Sequence, residues 1–153
     1  RDIILIIDDQ AKEVSSSVGH KLMDNHPFSK IRFDLANQNI SKLKQIFSSG
    51  DLNQFCDLVE KEALMLHSLM MSSNPSYILM KPETLTVITK IQKFRKDSKI
   101  PVCFTLDAGA NVHVLYPDKF SKDVMDFIKD QLSPFCEKRK FISDKMGDGP
   151  KQI

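Results

Sequence analysis

Several residue types are scarce in this chain, and each scarcity excludes a class of protein. There is no tryptophan, and only five glycines occur among 153 residues, which leaves little material for a phosphate-cradling loop. Walker, Rossmann and GxSxG patterns are absent, so the sequence does not predict that this chain alone encloses a nucleotide. No apolar run approaches the roughly 20 residues that a membrane-spanning helix needs.

Cysteine is scarce as well, with single residues at positions 56, 103 and 136 and no CxxC pair. An odd count without paired spacing argues against a structural zinc site and against a disulfide framework. Cys56 and Cys103 lie among apolar neighbours, so we expect them to be small buried hydrophobic residues. A reducing cytosol is the simplest compartment for such a chain.

Neither sign of charge is in clear excess. The chain has 22 basic and 20 acidic residues, for a net charge of +2. A protein that binds nucleic acid usually has a clear basic excess, so we expect no nucleic-acid partner. We expect no membrane partner either. The balanced charge still permits a local basic patch that binds a small phosphorylated ligand. Length and composition fit one globular domain.

The hydrophobic pattern predicts four strands. Residues 3–7 form a continuous aliphatic run that is typical of a strand buried on both faces. Residues 100–106 and 112–116 predict two strands, and the short link between them indicates a hairpin. A last strand is predicted at 139–143.

Helices are predicted between these strands from apolar residues at helical spacing and from end signals. Gly50 is a candidate helix C′ residue and Asp51 a candidate N-cap. The predicted helices run from about 16 to Pro27, about 28–48, 51–71, 82–97 and 117–132. This order predicts an α+β, ferredoxin-like antiparallel sheet with helices on one face and extra helices in the first crossover.

Asp107 is the first candidate for chemistry, because it follows directly on an apolar strand and precedes Gly109. A carboxylate at a strand end is held by rigid backbone, and the glycine permits close approach of another molecule. Partial burial would raise the proton affinity of such a carboxylate, as a general base requires. The pattern alone favours an ordinary turn, because Asp, Gly and Asn are turn formers.

Three consecutive serines form the second candidate. Hydroxyl and backbone N–H groups of Ser15, Ser16 and Ser17 at a helix start would suit an anion, with Lys12 adding charge. A plain N-cap is the alternative. Two histidines are predicted to be structural: His67, two helical turns after Glu60, as a buried residue without further metal ligands, and His113 as an outward-facing strand residue.

The sequence resembles one known family in three segments. Residues 104–112, FTLDAGANV, are similar to the F-T-x-D-A-G-P-N-V stretch of mevalonate diphosphate decarboxylases. Residues 12–20, KEVSSSVGH, resemble their K-x-V-S-S-x-x-G-M segment, and residues 64–68, LMLHS, resemble a helical L-x-M-H-A. The order and separations match as well, so the resemblance covers essentially all of the chain.

This resemblance implies a site and a reaction. In the family, ATP phosphorylates the tertiary hydroxyl of mevalonate diphosphate; phosphate and carbon dioxide then leave, and isopentenyl diphosphate forms. It implies that Asp107 is the catalytic carboxylate at the C3 hydroxyl and that Ser16 contacts the substrate's phosphate region. The full set of substrate-binding residues that it implies is Lys12, Ser15, Ser16, Ser17, His20, Gly109 and Asn111.

Three positions depart from the family pattern. Ala110 replaces the usual proline after the aspartate, which is expected to loosen that loop. His20 replaces the usual methionine near the substrate. Ser17 stands where some relatives carry arginine, which would leave one phosphate contact to another residue.

The resemblance also implies that half of the enzyme is missing. The chain opens at Arg1, without a methionine, and enters an apolar strand almost at once, so we expect a piece of a longer polypeptide. The family's ATP-binding domain lies upstream and carries ATP and Mg²⁺, so this C-terminal domain alone, residues 1–153, is expected to bind no cofactor and to be inactive. A homodimer is expected. A sister kinase or a non-catalytic dimerisation module are the alternatives.

Overall fold

Four strands form one antiparallel sheet in the structure, a computed structural model that describes residues 1–10, 23, 25–147 and 149. The strands are β1 (Asp2–Leu5), β2 (Cys103–Leu106), β3 (Val112–Leu115) and β4 (Phe141–Asp144), in the order β2-β3-β1-β4. This is the ferredoxin-like strand order, and it confirms the fold predicted from the sequence. Among the described residues, no helix has both the length and the apolar character needed to cross a bilayer.

In the described part of the connection between β1 and β2 there are three long helices: α1 (Ser29–Ser49), α2 (Leu52–Met71) and α3 (Pro82–Ser98). Their ends follow the predicted signals. Gly50 closes α1 with φ 70°, a left-handed conformation that glycine adopts without a Cβ penalty. Asp51 caps α2, since its Oδ1 accepts from the N–H groups of Asn53 and Gln54 at 3.0 Å each. The predicted helix from about residue 16 falls largely outside the described residues.

The last crossover is less regular than predicted. In place of one continuous helix, a short 3₁₀ turn precedes α4 (Ser121–Phe127), and a π-type turn follows at Ile128–Leu132. Pro134 lies just beyond this turn, where a proline cannot continue the helical hydrogen bonding. The buried face is nevertheless kept, because Val124, Phe127 and Ile128 all lie in the core.

The core lies between one face of the sheet and helices α3 and α4. Alternate strand residues point into it, in keeping with the two-residue period of a strand, and the helices add an apolar stripe. The central members are Ile3, Leu5, Val87, Ile91, Phe104, Val112, Val114, Val124 and Ile128. The run at residues 3–7 was predicted to be buried on both faces; Ile3, Leu5, Ile6 and Ile7 are buried, whereas Ile4 is half-buried. The prediction of burial on both faces is therefore wrong at Ile4.

Helix α2 packs its buried side against β2, and one ion pair ties it to α3 there. Both oxygens of the Glu60 carboxylate bond to the Arg95 guanidinium, with Arg95 Nη2 to Glu60 Oε2 at 2.9 Å. Arg95 Nη1 also donates to the carbonyl of Val102 at 2.8 Å, just before β2. The bonds to Glu60 raise the pKa of Arg95 above its ordinary value, so the pair stays charged although the Glu60 side chain is only 7% exposed.

Removing one partner of this pair should destabilise the fold more than removing both. The change Arg95→Met leaves the Glu60 carboxylate buried without its counter-charge, and we expect a loss of about 3–5 kcal/mol in unfolding free energy. The double variant Glu60→Met/Arg95→Met should recover part of that loss. Urea unfolding of the chain measures both.

The matched control is the exposed ion pair Lys93–Asp97, which lies on α3 as Arg95 does. Lys93→Met should cost at most about 1 kcal/mol, because solvent-exposed ion pairs contribute little. A double variant less stable than Arg95→Met alone would contradict the prediction.

Candidate active site

The candidate site is the β2–β3 hairpin loop, residues 107–111, at one edge of the core. Strand pairing fixes its two ends, since Leu106 and Val112 are register partners in the antiparallel ladder. The hairpin predicted from the sequence is thereby confirmed. Asp107 is exposed, Gly109 and Asn111 are half-buried, and Ala110 is buried. The described part of the chain thus presents the carboxylate at the surface and does not provide the partial burial expected for a general base.

The backbone of Asp107 is anchored from inside the protein. Its carbonyl oxygen accepts a hydrogen bond from Nε2 of His67 on α2 at 3.0 Å and another from the N–H of Gly109 at 2.9 Å. A carbonyl oxygen can only accept, so Nε2 of His67 carries the proton. Both acceptor positions of this carbonyl are therefore used.

His67 is 1% exposed, which agrees with the buried, hydrogen-bonded histidine that the sequence predicted. Burial lowers the pKa of His67 below its ordinary value, and the bond to the Asp107 carbonyl offsets this only in part. The neutral imidazole with a protonated Nε2 is therefore the form that the site favours. The Asp107 partner was missed, because 40 residues separate the two in sequence.

The other end of the loop is held by a threonine. Thr84 Oγ1 donates to the carbonyl of Ala110 at 2.8 Å and accepts from the N–H of Lys81 at 3.1 Å. Thr84 is fully buried in the first turn of α3. This contact fixes the backbone at the position where the family pattern has a proline. Nothing in the local sequence signalled it, since a threonine near a helix start predicts only local capping.

Asn111 joins the loop to the residues that follow β1. Its Oδ1 accepts from the N–H groups of Ile7 at 2.8 Å and Asp8 at 3.0 Å. The Asp8 carboxylate in turn forms an ion pair with Lys81 at 2.6 Å. The hydrogen bond from Lys81 lowers the pKa of Asp8, and the same bond raises the pKa of Lys81. Side chains thus connect the 107–111 loop, the residues that follow β1 and the N-terminus of α3.

The remaining predicted site residues, Lys12, Ser15, Ser16, Ser17 and His20, lie outside the described residues. The structure does bring Asp107, Gly109 and Asn111 together in one loop. Asn111 holds Ile7 and Asp8, which precede residues 11–22 in the sequence. The N–H of Gly109 is already bonded to the Asp107 carbonyl.

Metal ligands were not expected on the helix that carries Glu60 and His67. The Glu60 carboxylate is bonded to Arg95, and His67 is bonded to the Asp107 carbonyl. Among residues 1–10, 23, 25–147 and 149, no group of three His, Cys, Asp or Glu side chains is arranged to hold a metal ion. The described residues therefore do not fit a magnesium site by themselves. The other histidine discussed above, His113, lies on the half-buried face of the sheet, where its Nδ1 is 3.0 Å from Oδ2 of Asp2.

The chain matches a family and proteins of known function. The family described as the mevalonate 5-diphosphate decarboxylase C-terminal domain matches residues 2–153. Over 91 residues, the chain is 26% identical to the phosphomevalonate decarboxylase of Haloferax volcanii; the match covers 60% of this chain and 28% of that protein. These findings confirm the resemblance seen in the sequence.

Solved structures share the fold. The mevalonate pyrophosphate decarboxylase of Streptococcus pyogenes matches with a TM-score of 0.86 and 22% identity, over 99% of this chain and 46% of its own. The mevalonate diphosphate decarboxylase of Enterococcus faecalis matches with a TM-score of 0.77 and 21% identity, over 92% of this chain and 41% of its own; that structure describes ATP binding mediated by mevalonate diphosphate. A further complex in this group holds MVAPP, AMPPCP and magnesium. The chain thus spans less than half the length of these relatives.

The Thr84 bond gives a prediction about stability. Thr84→Val keeps the shape but leaves the Ala110 carbonyl and the Lys81 N–H without this partner, so we expect a loss of about 1–3 kcal/mol in unfolding free energy. Thr84→Ser keeps the hydroxyl and removes one methyl, at a cost of about 1 kcal/mol. Denaturant unfolding of both variants tests this, and a serine variant less stable than the valine variant would contradict it.

Burial of His67 makes the stability pH-dependent. Its pKa is lower in the folded chain than the ordinary 6.5, so below pH 6.5 the unfolded chain binds more protons, and stability falls as the pH falls. His67→Gln removes this titration, so the stability difference between wild type and variant should change between pH 8 and pH 5. Thermal unfolding across this range measures it. Other histidines are common to both proteins, so parallel pH profiles would refute the prediction.

Proposed function

Because this chain belongs to the mevalonate 5-diphosphate decarboxylase C-terminal domain family, we propose that it is the C-terminal half of an ATP-dependent decarboxylase. The enzyme would convert mevalonate diphosphate and ATP to isopentenyl diphosphate, ADP, phosphate and carbon dioxide. One observation carries the proposal: Asp107 presents its side chain at the surface of a loop whose backbone is bonded at both ends. Such fixed backbone holds a reacting group in position for chemistry.

In this reaction Asp107 would face the C3 hydroxyl of the substrate. It accepts or orients the hydroxyl proton while the oxygen attacks the terminal phosphorus of ATP and ADP leaves. The C3–O bond then breaks and phosphate departs. The electron pair of the bond to the carboxylate forms the new double bond, and carbon dioxide is released. The carboxylate needs a partner domain that excludes water before it becomes an effective base.

The substrate's phosphates would bind to the segment after β1. Ser16 contacts them, with Ser15, Ser17, Lys12 and His20 beside it and Gly109 and Asn111 on the loop. The bonds from Ile7 and Asp8 to Asn111 support this arrangement, because they hold the residues that precede the segment in sequence beside the loop that carries Asp107. Serine hydroxyls and backbone N–H groups suit phosphate oxygens.

The ATP site would belong to an N-terminal domain of the same polypeptide. Magnesium accompanies the nucleotide and neutralises its phosphate charge, and the described residues of this chain offer no cluster for it. We therefore propose that the isolated 153-residue chain has no decarboxylase activity. Turnover by the isolated chain would refute this part of the proposal. We also propose that the whole enzyme is a homodimer and that it is located in the cytoplasm.

A second substrate is favoured by one finding. The match to a phosphomevalonate decarboxylase supports mevalonate monophosphate as the alternative to the diphosphate. The two differ by one phosphate group, so the choice depends on the contacts that the whole enzyme makes to that phosphate. Assays of the whole enzyme with each substrate at equal concentration would decide between them.

The role of Asp107 gives the central prediction. Asp107→Asn in the whole enzyme keeps the size and the backbone bonds but removes the negative charge, and we expect carbon dioxide release to fall by about 10²- to 10⁴-fold. The matched control is Asp97→Asn, an exposed carboxylate near the opposite end of α3 and about 24 Å along the helix from Lys81. It should retain wild-type turnover.

Other outcomes would point elsewhere. A wild-type enzyme that phosphorylates the substrate without releasing carbon dioxide would be a sister kinase. A wild-type protein with neither reaction would leave a non-catalytic binding or dimerisation module. Wild-type turnover by Asp107→Asn would remove Asp107 from the mechanism while leaving the decarboxylase assignment intact.

A further inference from the structure

His67 reaches the backbone of Asp107 from the interior of the protein. It projects from α2 on the same side as Glu60 and Ala63, both of which are buried, and its Nε2 meets the Asp107 carbonyl at 3.0 Å. A polar side chain at this depth requires a hydrogen-bond partner. The partner of His67 is the backbone carbonyl of Asp107, the residue proposed to carry the chemistry.

The bond acts on the orientation of the aspartate side chain. The Asp107 carbonyl is bonded on one side to Gly109 within the loop and on the other to His67. The first bond closes the turn but moves with it, whereas the second ties the turn to a helix of 20 residues packed against β2. Without the second bond, the peptide group after Asp107 can rotate, and rotation of that peptide moves the side chain as well.

We propose that His67 is a positioning residue for catalysis: its Nε2–H fixes the peptide of Asp107 and thereby aims the carboxylate at the substrate hydroxyl. This inference rests on the proposed function, because it presupposes that Asp107 reacts. His67 does not touch the substrate itself, since it is 1% exposed. Its effect should therefore appear in the rate of the chemical step and not in substrate affinity.

The geometry distinguishes two conservative replacements. The amide nitrogen of glutamine can occupy the place of Nε2 and donate to the same carbonyl. Asparagine is one methylene shorter, so its amide lies nearer to the place of Nδ1 and does not reach. His67→Leu removes the donor altogether. A role limited to filling space would rank these variants by volume, whereas a positioning role ranks them by whether the bond is kept.

The test uses the whole enzyme and carbon dioxide release from carboxyl-labelled mevalonate diphosphate. Misplacement of a reacting group by about 1 Å costs on the order of 10²-fold in rate, so His67→Leu and His67→Asn should lose about ten- to a hundredfold in kcat. His67→Gln should stay within about threefold of wild type. KM should change by less than about threefold in all three. His113→Leu, which removes a histidine from the sheet, should leave kcat unchanged.

A double variant separates positioning from general damage. If His67 acts through Asp107, adding His67→Leu to Asp107→Asn should produce no further loss, because effects of residues that act as a unit are not additive. Additive losses, a glutamine variant as slow as leucine, or a leucine variant with wild-type kcat would each overturn the inference while wild type and Asp107→Asn still support the proposed function. An inactive wild type would overturn both.

Discussion

The hydrogen bonding of one short loop is the constraint on which the rest of the site depends. A hairpin link of five residues at the end of a buried strand carries backbone carbonyls that face the protein interior, and such groups must be bonded. His67 and Thr84 supply donors to the first and fourth of these residues, and Asn111 accepts from the segment that follows β1. Helices α2 and α3 and strand β1 are thereby fixed relative to the carboxylate. The extra helices of the first crossover thus provide the anchors of the loop.

The sequence predicted the parts of this arrangement that depend on local pattern. Alternating apolar residues in 112–116 indicate a half-buried strand, and the Gly- and Asn-containing link before it indicates a hairpin. Gly50 and Asp51 predicted the boundary between α1 and α2 because their backbone and side-chain preferences act within three residues. The family's aspartate motif placed Asp107 in the candidate site. The fold class and the location of the loop therefore follow from short-range information.

What the sequence did not predict depends on contacts between distant residues. Thr84 and Ala110 are 26 residues apart, and His67 and Asp107 are 40 apart. No periodicity or spacing connects such pairs, and a buried histidine has many possible partners. In the same way, nothing in the sequence indicated that Arg95 would be the ion-pair partner of Glu60. The irregular end of the last crossover was missed for a different reason: the apolar stripe continues through Ile128 and Leu132 although the backbone departs from α-helix geometry.

Ala110 shows how one long-range contact alters the meaning of a local departure. A proline at this position would restrict φ and so stiffen the loop through its covalent ring; alanine lacks that restriction, and the sequence alone therefore indicated a looser loop. The structure instead buries Ala110 and bonds its carbonyl to Thr84. That bond restrains the peptide after residue 110, which the ring of a proline does not restrain directly. The loop is consequently held through its carbonyls, and its rigidity depends on the packing of α2 and α3 against the sheet.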